Sequence, residues 1–374
     1  MLKIGIAGLG RGRTAFVFDE FPDCRVTALC DPAEERLNQV AEERGIDRRV
    51  TRFEDLLDSG VDAIFLATPM PLHASQAAAA LDAGIHVLSE VAAGFTWRDL
   101  WLLAEAAHRS TATYMLAENY CYMRHVMLVR ALAEAGVFGD IYYGESEYLQ
   151  ELRGPVEQPG PGRTWRACLH LVPGNNYPTH NVGPLCQILK EPVRDVACFG
   201  SGNHTIPGRA LEDRTITVGH TPSGKLVQMG YDLVSHRPQS VQYYGIQGTR
   251  GCYESPRGLG DDHKVYIVGE CERGQWRPLW DYEHHLPGWY REMEDKARAS
   301  GFDISDYCCA SEFRAAVAEA RAPEVGVWMA LNLSAIIPAT HDSLAAGGAV
   351  IPIPDFQAEV EGGASRHGKV WPDA

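Results

Sequence analysis

Basic residues are in short supply. Across 374 residues, 34 Lys and Arg face 49 Asp and Glu, a formal net charge of −15. Such a surface repels phosphate backbones and anionic headgroups, which argues against nucleic acid or a membrane as partner. Long apolar runs are missing as well: none is long enough to span a bilayer, and no charged segment with an apolar run precedes Leu2. These absences point to a cytoplasmic protein. The ten cysteines are scattered without a C-x-x-C pair, and Cys308-Cys309 are adjacent, a poor geometry for a bridge within one domain. Reduced, mostly buried thiols are expected. No His/Cys/Asp/Glu grouping has metal-ligand spacing, so no metal is expected. Internal repeats and low-complexity tracts are absent.

What is present begins at the first residues. Leu2 to Ala7 is an apolar, partly β-branched run, followed by Gly8-Leu9-Gly10-Arg11-Gly12 and a helical stretch to about Glu20. Arg25 to Cys30 is a second strand, closed by Asp31-Pro32. Strand, glycine turn, helix, strand and acid in this order form a dinucleotide-binding opening. Gly8 permits the tight turn, Gly10 lets the backbone approach a pyrophosphate, and the helix N-terminus supplies N–H groups for it. A carboxylate at Asp31 suits both ribose hydroxyls and favours NAD over NADP. The pattern departs at its third glycine position, which is Arg13.

Strands at Val61–Ala67, Ile85–Ser89 and Thr113–Ala117 alternate with helices at 33–44, Leu72–Ala83 and Trp97–His108. This alternation predicts an α/β, doubly wound parallel sheet over residues 1–120. Asp31, Thr68-Pro69, Glu90 and Glu118 fall at C-terminal strand ends, where such sheets bind ligands. Beyond about residue 135 the strands lengthen, at Ile141–Leu152, Val193–Cys198, Thr215–His220, Lys225–Leu233, Val241–Ile246 and His263–Val268. They predict a large, mainly antiparallel open sheet in an α+β domain over 121–374. Helices are expected near Val182–Leu189, 287–299, 307–321 and 325–345. Tyr177 and His180, three apart, share a helical face if Pro178 opens the helix.

The stretch Ala67-Thr68-Pro69, Leu72-His73 and Ala83-Gly84-Ile85-His86-Val87-Leu88-Ser89-Glu90 resembles the glucose–fructose oxidoreductase/inositol dehydrogenase (Gfo/Idh/MocA) family. Most members continue Glu-Lys-Pro; here the order is Glu90-Val91-Ala92, and Val91 can neither donate nor accept a proton. Tyr177-Pro178-Thr179-His180-Asn181-Val182-Gly183-Pro184 is similar to the Tyr-Pro-Thr-His-Gly-Leu-Gly-Pro motif of glycoside hydrolase family 109, the NAD-dependent α-N-acetylgalactosaminidases. The likeness extends to Ala117-Glu118-Asn119-Tyr120-Cys121-Tyr122, Trp165-Arg166 and Ile351-Pro352-Ile353-Pro354-Asp355-Phe356. By position it implies His180, Tyr177, Tyr148 and Glu118 as catalytic. It implies cofactor contacts at Gly8, Gly10, Arg11, Gly12, Asp31, Thr68, Pro69, His73, Glu90 and Asn119. It implies sugar contacts at Arg166, Trp165, Gln150 and His285. The family's usual His two residues after its second tyrosine is Gln150 here.

A glycosidic bond beside an ordinary C2–H cannot leave by elimination, because that proton is too weakly acidic. The resemblance implies that NAD oxidises the C3 hydroxyl, the C2 proton is then lost, the C1 substituent leaves, water adds and the ketone is reduced again. No carboxylate pair at fixed spacing is needed, unlike ordinary glycosidases. The expected partner is a small carbohydrate or glycoside, with homo-oligomers formed through the C-terminal sheet. Two rivals remain at this level: an NAD-dependent sugar dehydrogenase or keto-sugar eliminase, and a non-catalytic sugar or cofactor sensor.

Overall fold

The computed structural model describes residues 1–152, 172–206, 211–237 and 241–363. Six strands form the first sheet: β1 (Leu2–Ala7), β2 (Cys24–Cys30), β3 (Arg48–Val50), β4 (Ala63–Leu66), β5 (His86–Ser89) and β6 (Tyr114–Leu116). Their order is β3-β2-β1-β4-β5-β6, with every pair parallel. The order reverses between β1 and β4, so a crevice opens there at the C-terminal strand ends. All four residues of β4 are buried, as a strand covered on both faces requires. Helices α1 (Glu34–Arg44), α2 (Phe53–Leu57), α3 (His73–Asp82) and α4 (Trp97–Arg109) join the strands. The short β3, whose pattern carries two arginines, gave no strand signal.

The glycine turn is tight for steric reasons. Gly8 has φ +88°, and a Cβ there would lie 2.4 Å from the Ala67 carbonyl oxygen. A Cβ on Gly12 would meet Ile6 Cγ2 at 2.8 Å. The helical stretch after the turn is a 3-10 helix, Arg11–Glu20, rather than an α-helix.

Helix α5 (Arg124–Glu134), absent from the sequence expectations, leads into the second sheet. Its strands are β7 (Ile141–Leu149), β8 (Asp195–Gly200), β9 (Arg214–His220), β10 (Leu226–Asp232), β11 (Gln242–Gly248), β12 (Gly251–Glu254), β13 (Lys264–Ile267), β14 (Arg277–Pro278) and β15 (Ile351–Pro352). The order is β14-β13-β12-β11-β7-β10-β9-β8-β15. Pairing is antiparallel except between β7 and β10. Helix α6 (Pro178–Leu189) lies against this sheet and is buried along nearly its whole length. It starts four residues before Val182, the expected start, because Pro178 presets the first helical φ. Helices α7 (Gly288–Ser300), α8 (Ile304–Ala318), α9 (Val327–Ala345) and α10 (Phe356–Glu361) follow. The chain reaches back to the first sheet at α9: Leu116 N–H donates to the Val325 carbonyl at 2.9 Å, and Ala93 N–H to Ser334 Oγ at 3.0 Å.

Candidate active site

Helix α6 and the end of β6 meet at the crevice, and the meeting is made by one side chain from each. His180 Nδ1 donates to Glu118 Oε1 at 2.7 Å. Glu118 is fully buried, and the same oxygen accepts the Tyr120 N–H at 3.3 Å. A carboxylate that takes the Nδ1 proton fixes the ring and its tautomer, which leaves Nε2 as the acceptor nitrogen. Among the described residues, no hydrogen bond engages Nε2. The Tyr120 ring covers one face of His180, with centroids 3.9 Å apart and planes 7° apart. Burial first, then the Glu118 carboxylate, pushes the Tyr120 hydroxyl up to about 12, so this platform stays a neutral phenol.

Two further tyrosines complete an aromatic enclosure. Tyr177 precedes α6 and Tyr148 lies near the end of β7; their rings stack at 5.2 Å and 17°. The His180 centroid is 5.0 Å from that of Tyr177 and 5.6 Å from that of Tyr148. Tyr148 Oη donates to Gln150 Oε1 at 3.1 Å. Asn181 Nδ2 holds the helix to the sheet through the Gly230 carbonyl at 2.8 Å, a tether that the family's glycine at this position cannot make.

On the first-sheet side, the turn residue Arg11 reaches across the crevice. Its Nε donates to Glu90 Oε1 at 2.8 Å and its Nη2 to Asp306 Oδ1 of α8 at 2.7 Å. Asn119 Nδ2 bonds the same Asp306 oxygen at 3.1 Å. Burial works against the Arg11 charge, but Glu90 and Asp306 together raise its pKa, so it remains a cation. Burial raises Glu90 despite Arg11 beside it. Asp31 sits at the end of β2 with its side chain 3% exposed. Its Oδ2 accepts Leu9 N–H at 2.8 Å and Arg36 Nη1 at 3.3 Å, and its Oδ1 accepts Ala33 N–H at 2.9 Å. Beside it lies a cleft of about 450 Å³ lined by Leu9, Gly10, Arg13 and Arg36 among others. A Cβ on Gly10 would meet nothing within 4 Å, so the turn backbone stands open on that side. The tight Gly8, the open Gly10 and the acid at the end of β2 have the chemistry that fits a dinucleotide.

The oxidoreductase family model with the NAD-binding Rossmann fold matches residues 2–118, and the glycosyl hydrolase 109 C-terminal domain matches residues 210–360. Two family models thus meet on one chain, the oxidoreductase Rossmann fold in its first third and the glycosyl hydrolase 109 domain in its second half. A glycosyl hydrolase family 109 protein of Streptomyces niveus is 28% identical, over 95% of this chain and 77% of that one. An alpha-N-acetylgalactosaminidase of Tannerella forsythia is 27% identical, over 89% of this chain and 81% of that one. Levoglucosan dehydrogenase, solved in complex with NADH, superposes with a TM-score of 0.76 at 20% identity, over 94% of this chain and 99% of that one, and so shares the fold.

Other residues of this NAD-dependent enzyme stand as follows. Thr68 Oγ1 donates to Gln76 at 2.6 Å, and Pro69 follows it into α3. His73 is buried, its ring nitrogens 2.9 Å from the Ala92 carbonyl oxygen and 2.7 Å from that of Thr68. His285 lies on a 3-10 helix, Leu279–His285, with its ring 4.4 Å from that of His284, and no ring contact among the described residues joins it to His180. Trp165 and Arg166 lie outside the described residues. Two residues of this arrangement escaped the sequence reading: Tyr120 and Asp306. Tyr120 had a signal, being two residues after Glu118; Asp306 gave none. Among the described residues no group of three or more His, Cys, Asp or Glu is placed to hold a metal, and no helix is long and apolar enough to cross a membrane.

Proposed function

We propose that this enzyme cleaves a glycosidic bond through transient oxidation at C3 of the sugar, with His180 as its central base. The observation that carries this reading is the buried carboxylate–imidazole pair at 2.7 Å, set among three tyrosine rings at the edge of a dinucleotide-binding crevice. Bound NAD supplies the acceptor, and later the donor, of the C3 hydride. Glu118 holds Nδ1–H, so Nε2 takes the proton of the C3 hydroxyl and returns it at the end of the cycle. Tyr148 and Tyr177 bracket the C2–C1 side, where the C2 proton is lost and regained. Gln150 steers the Tyr148 hydroxyl but does not titrate, so proton delivery to the leaving group does not pass through it.

Val91 supports this assignment of proton work. It is 4% exposed, and no lysine stands after Glu90 to assist a dehydrogenase reaction. Residues 1–120 hold the cofactor and 121–374 the glycoside. The open face of the nine-stranded sheet pairs with a second copy in the cytoplasm.

Turnover of an aryl glycoside in D₂O tests the mechanism. Direct displacement at C1 never breaks the C2–H bond, whereas elimination breaks it and admits solvent. Mass spectrometry and proton NMR of the released sugar are expected to show deuterium at C2, with the C3 hydrogen retained. Hydrolysis with C2 fully protonated rejects the mechanism, and net NADH release with a keto-sugar product favours a dehydrogenase.

A further inference from the structure

In an α-helix the carbonyl of residue i accepts the N–H of residue i+4. For His180 that partner is residue 184, and residue 184 is proline, placed inside α6. Proline has no N–H, and its ring crowds the carbonyl four residues earlier. The His180 carbonyl is therefore denied its helical bond and turned outward in a buried setting. An unsatisfied buried carbonyl is rare in folded proteins, because nothing replaces the water it gives up.

The vacancy is filled from the second sheet. Tyr244 of β11 donates its hydroxyl to the His180 carbonyl oxygen. Tyr244 is 1% exposed, and burial, with Glu118 next, holds its hydroxyl well above the usual range, so it remains a donor. The anchor is itself tied down: Tyr244 N–H donates to Ser255 Oγ at 3.1 Å, and its carbonyl accepts Ser255 N–H at 2.8 Å. The Tyr253 hydroxyl lies 2.9 Å from the same Ser255 Oγ. His180 is thus gripped twice, at the ring by Glu118 from the first sheet and at the backbone by Tyr244 from the second.

We propose that Tyr244 is a positioning residue for His180, its hydroxyl replacing the helical hydrogen bond that Pro184 removes and so fixing the turn that aims the imidazole. The inference rests on the reading of His180 as the base. It accounts for a proline one turn after the key histidine: the proline frees a carbonyl, and the freed carbonyl gives the other sheet something to hold.

The test is a double-mutant cycle on the full-length enzyme. Tyr244→Phe keeps the ring and removes the donor; kcat on an aryl glycoside is expected to fall about tenfold, the scale of a small misplacement of a catalytic group, with KM within about twofold. NADH binding, read by fluorescence titration, stays unchanged. Pro184→Ala restores an N–H four residues after His180, so adding it to Tyr244→Phe is expected to bring kcat back to within about threefold of wild type. A residue that merely fills space would not be rescued in this way. Thermal unfolding of the same four proteins gives a readout that needs no activity: Tyr244→Phe lowers the melting temperature more with Pro184 present than with Pro184→Ala. Unchanged kcat in Tyr244→Phe, or additive effects in both readouts, overturns the proposal. Failure of deuterium to enter C2 in the wild type would remove the role of His180 while leaving the unfolding cycle to decide the anchor.

Discussion

His73 opens helix α3, and His180 stands in the first turn of helix α6; both are buried, and both follow a proline-bearing turn. Their nitrogens are used differently. His73 has one ring nitrogen 2.9 Å from the Ala92 carbonyl oxygen and the other 2.7 Å from that of Thr68. It braces the two loops that wall the crevice, with no nitrogen left over. His180 gives one nitrogen to a carboxylate at 2.7 Å, and among the described residues no hydrogen bond engages the other. Burial and helix position are alike in the two cases; the partner differs, and under the proposed function that difference separates a brace from a base.

Truncation separates the two most sharply. His180→Ala is expected to lower the rate on any good glycoside at least ~100-fold, the scale of a lost general base, and also to lower the melting temperature, because the buried Glu118 carboxylate loses its imidazole donor. His73→Ala is expected to cost stability alone. One buried carbonyl loses its donor, and the loops lose a filled contact, at a cost on the order of 1–3 kcal/mol, while kcat of the folded protein stays within about threefold. Steady-state kinetics beside denaturant unfolding checks both. Equal losses of rate in the two variants would erase the distinction.

A subtler substitution sharpens the same contrast from the carboxylate side. In Glu118→Gln the backbone N–H of Tyr120 can keep the amide oxygen and turn the amide N–H toward His180. An N–H facing Nδ1 favours the opposite tautomer and places the proton on Nε2, where a base is wanted. A fall in kcat of at least about tenfold is expected, with KM little changed. A rise in KM alone would mean that Glu118 touches the sugar rather than the histidine.

How much of this could be read in the chain differs between the two sides of the crevice. The glycine turn and Asp31 are local, each set within a few residues of a strand end, so periodicity and turn chemistry suffice. Tyr177 and His180 are also local, three apart on one helical turn. The pairing of His180 with Glu118 spans 62 residues, Arg11 with Asp306 spans 295, and Tyr244 with His180 spans 64. Such contacts are made by the fold, and no spacing rule reports them. The first helix shows the same limit: a helical stretch is legible in the chain, but not its 3-10 winding. Helix α5 went unread between the expected domain boundary and the next strand. Pro184 is the one local signal that was present and unused, since a proline four residues after a histidine announces an unpaired carbonyl.

The smallest expected effect concerns acid. Burial lowers the pKa of His73 in the folded protein, whereas an unfolded imidazole titrates near about 6.5. As pH falls below that value, the unfolded chain takes up a proton that folded His73 refuses, so the unfolded state binds more protons and stability drops. One such histidine contributes a slope of at most about 1.4 kcal/mol per pH unit. His125, pushed down to about 3 by burial and then by His263, adds its own slope in the same direction. So does His341, pushed down to about 4 by burial. The wild type is therefore expected to lose stability steadily from pH 7 to pH 5. His73→Gln removes one of these contributions, so its stability, although lower at pH 7, should decline less steeply. Denaturant unfolding at pH 7, 6 and 5 gives both slopes. Parallel lines would mean that folded His73 accepts the proton after all, and a ring that can be protonated between two carbonyls would be more than a brace.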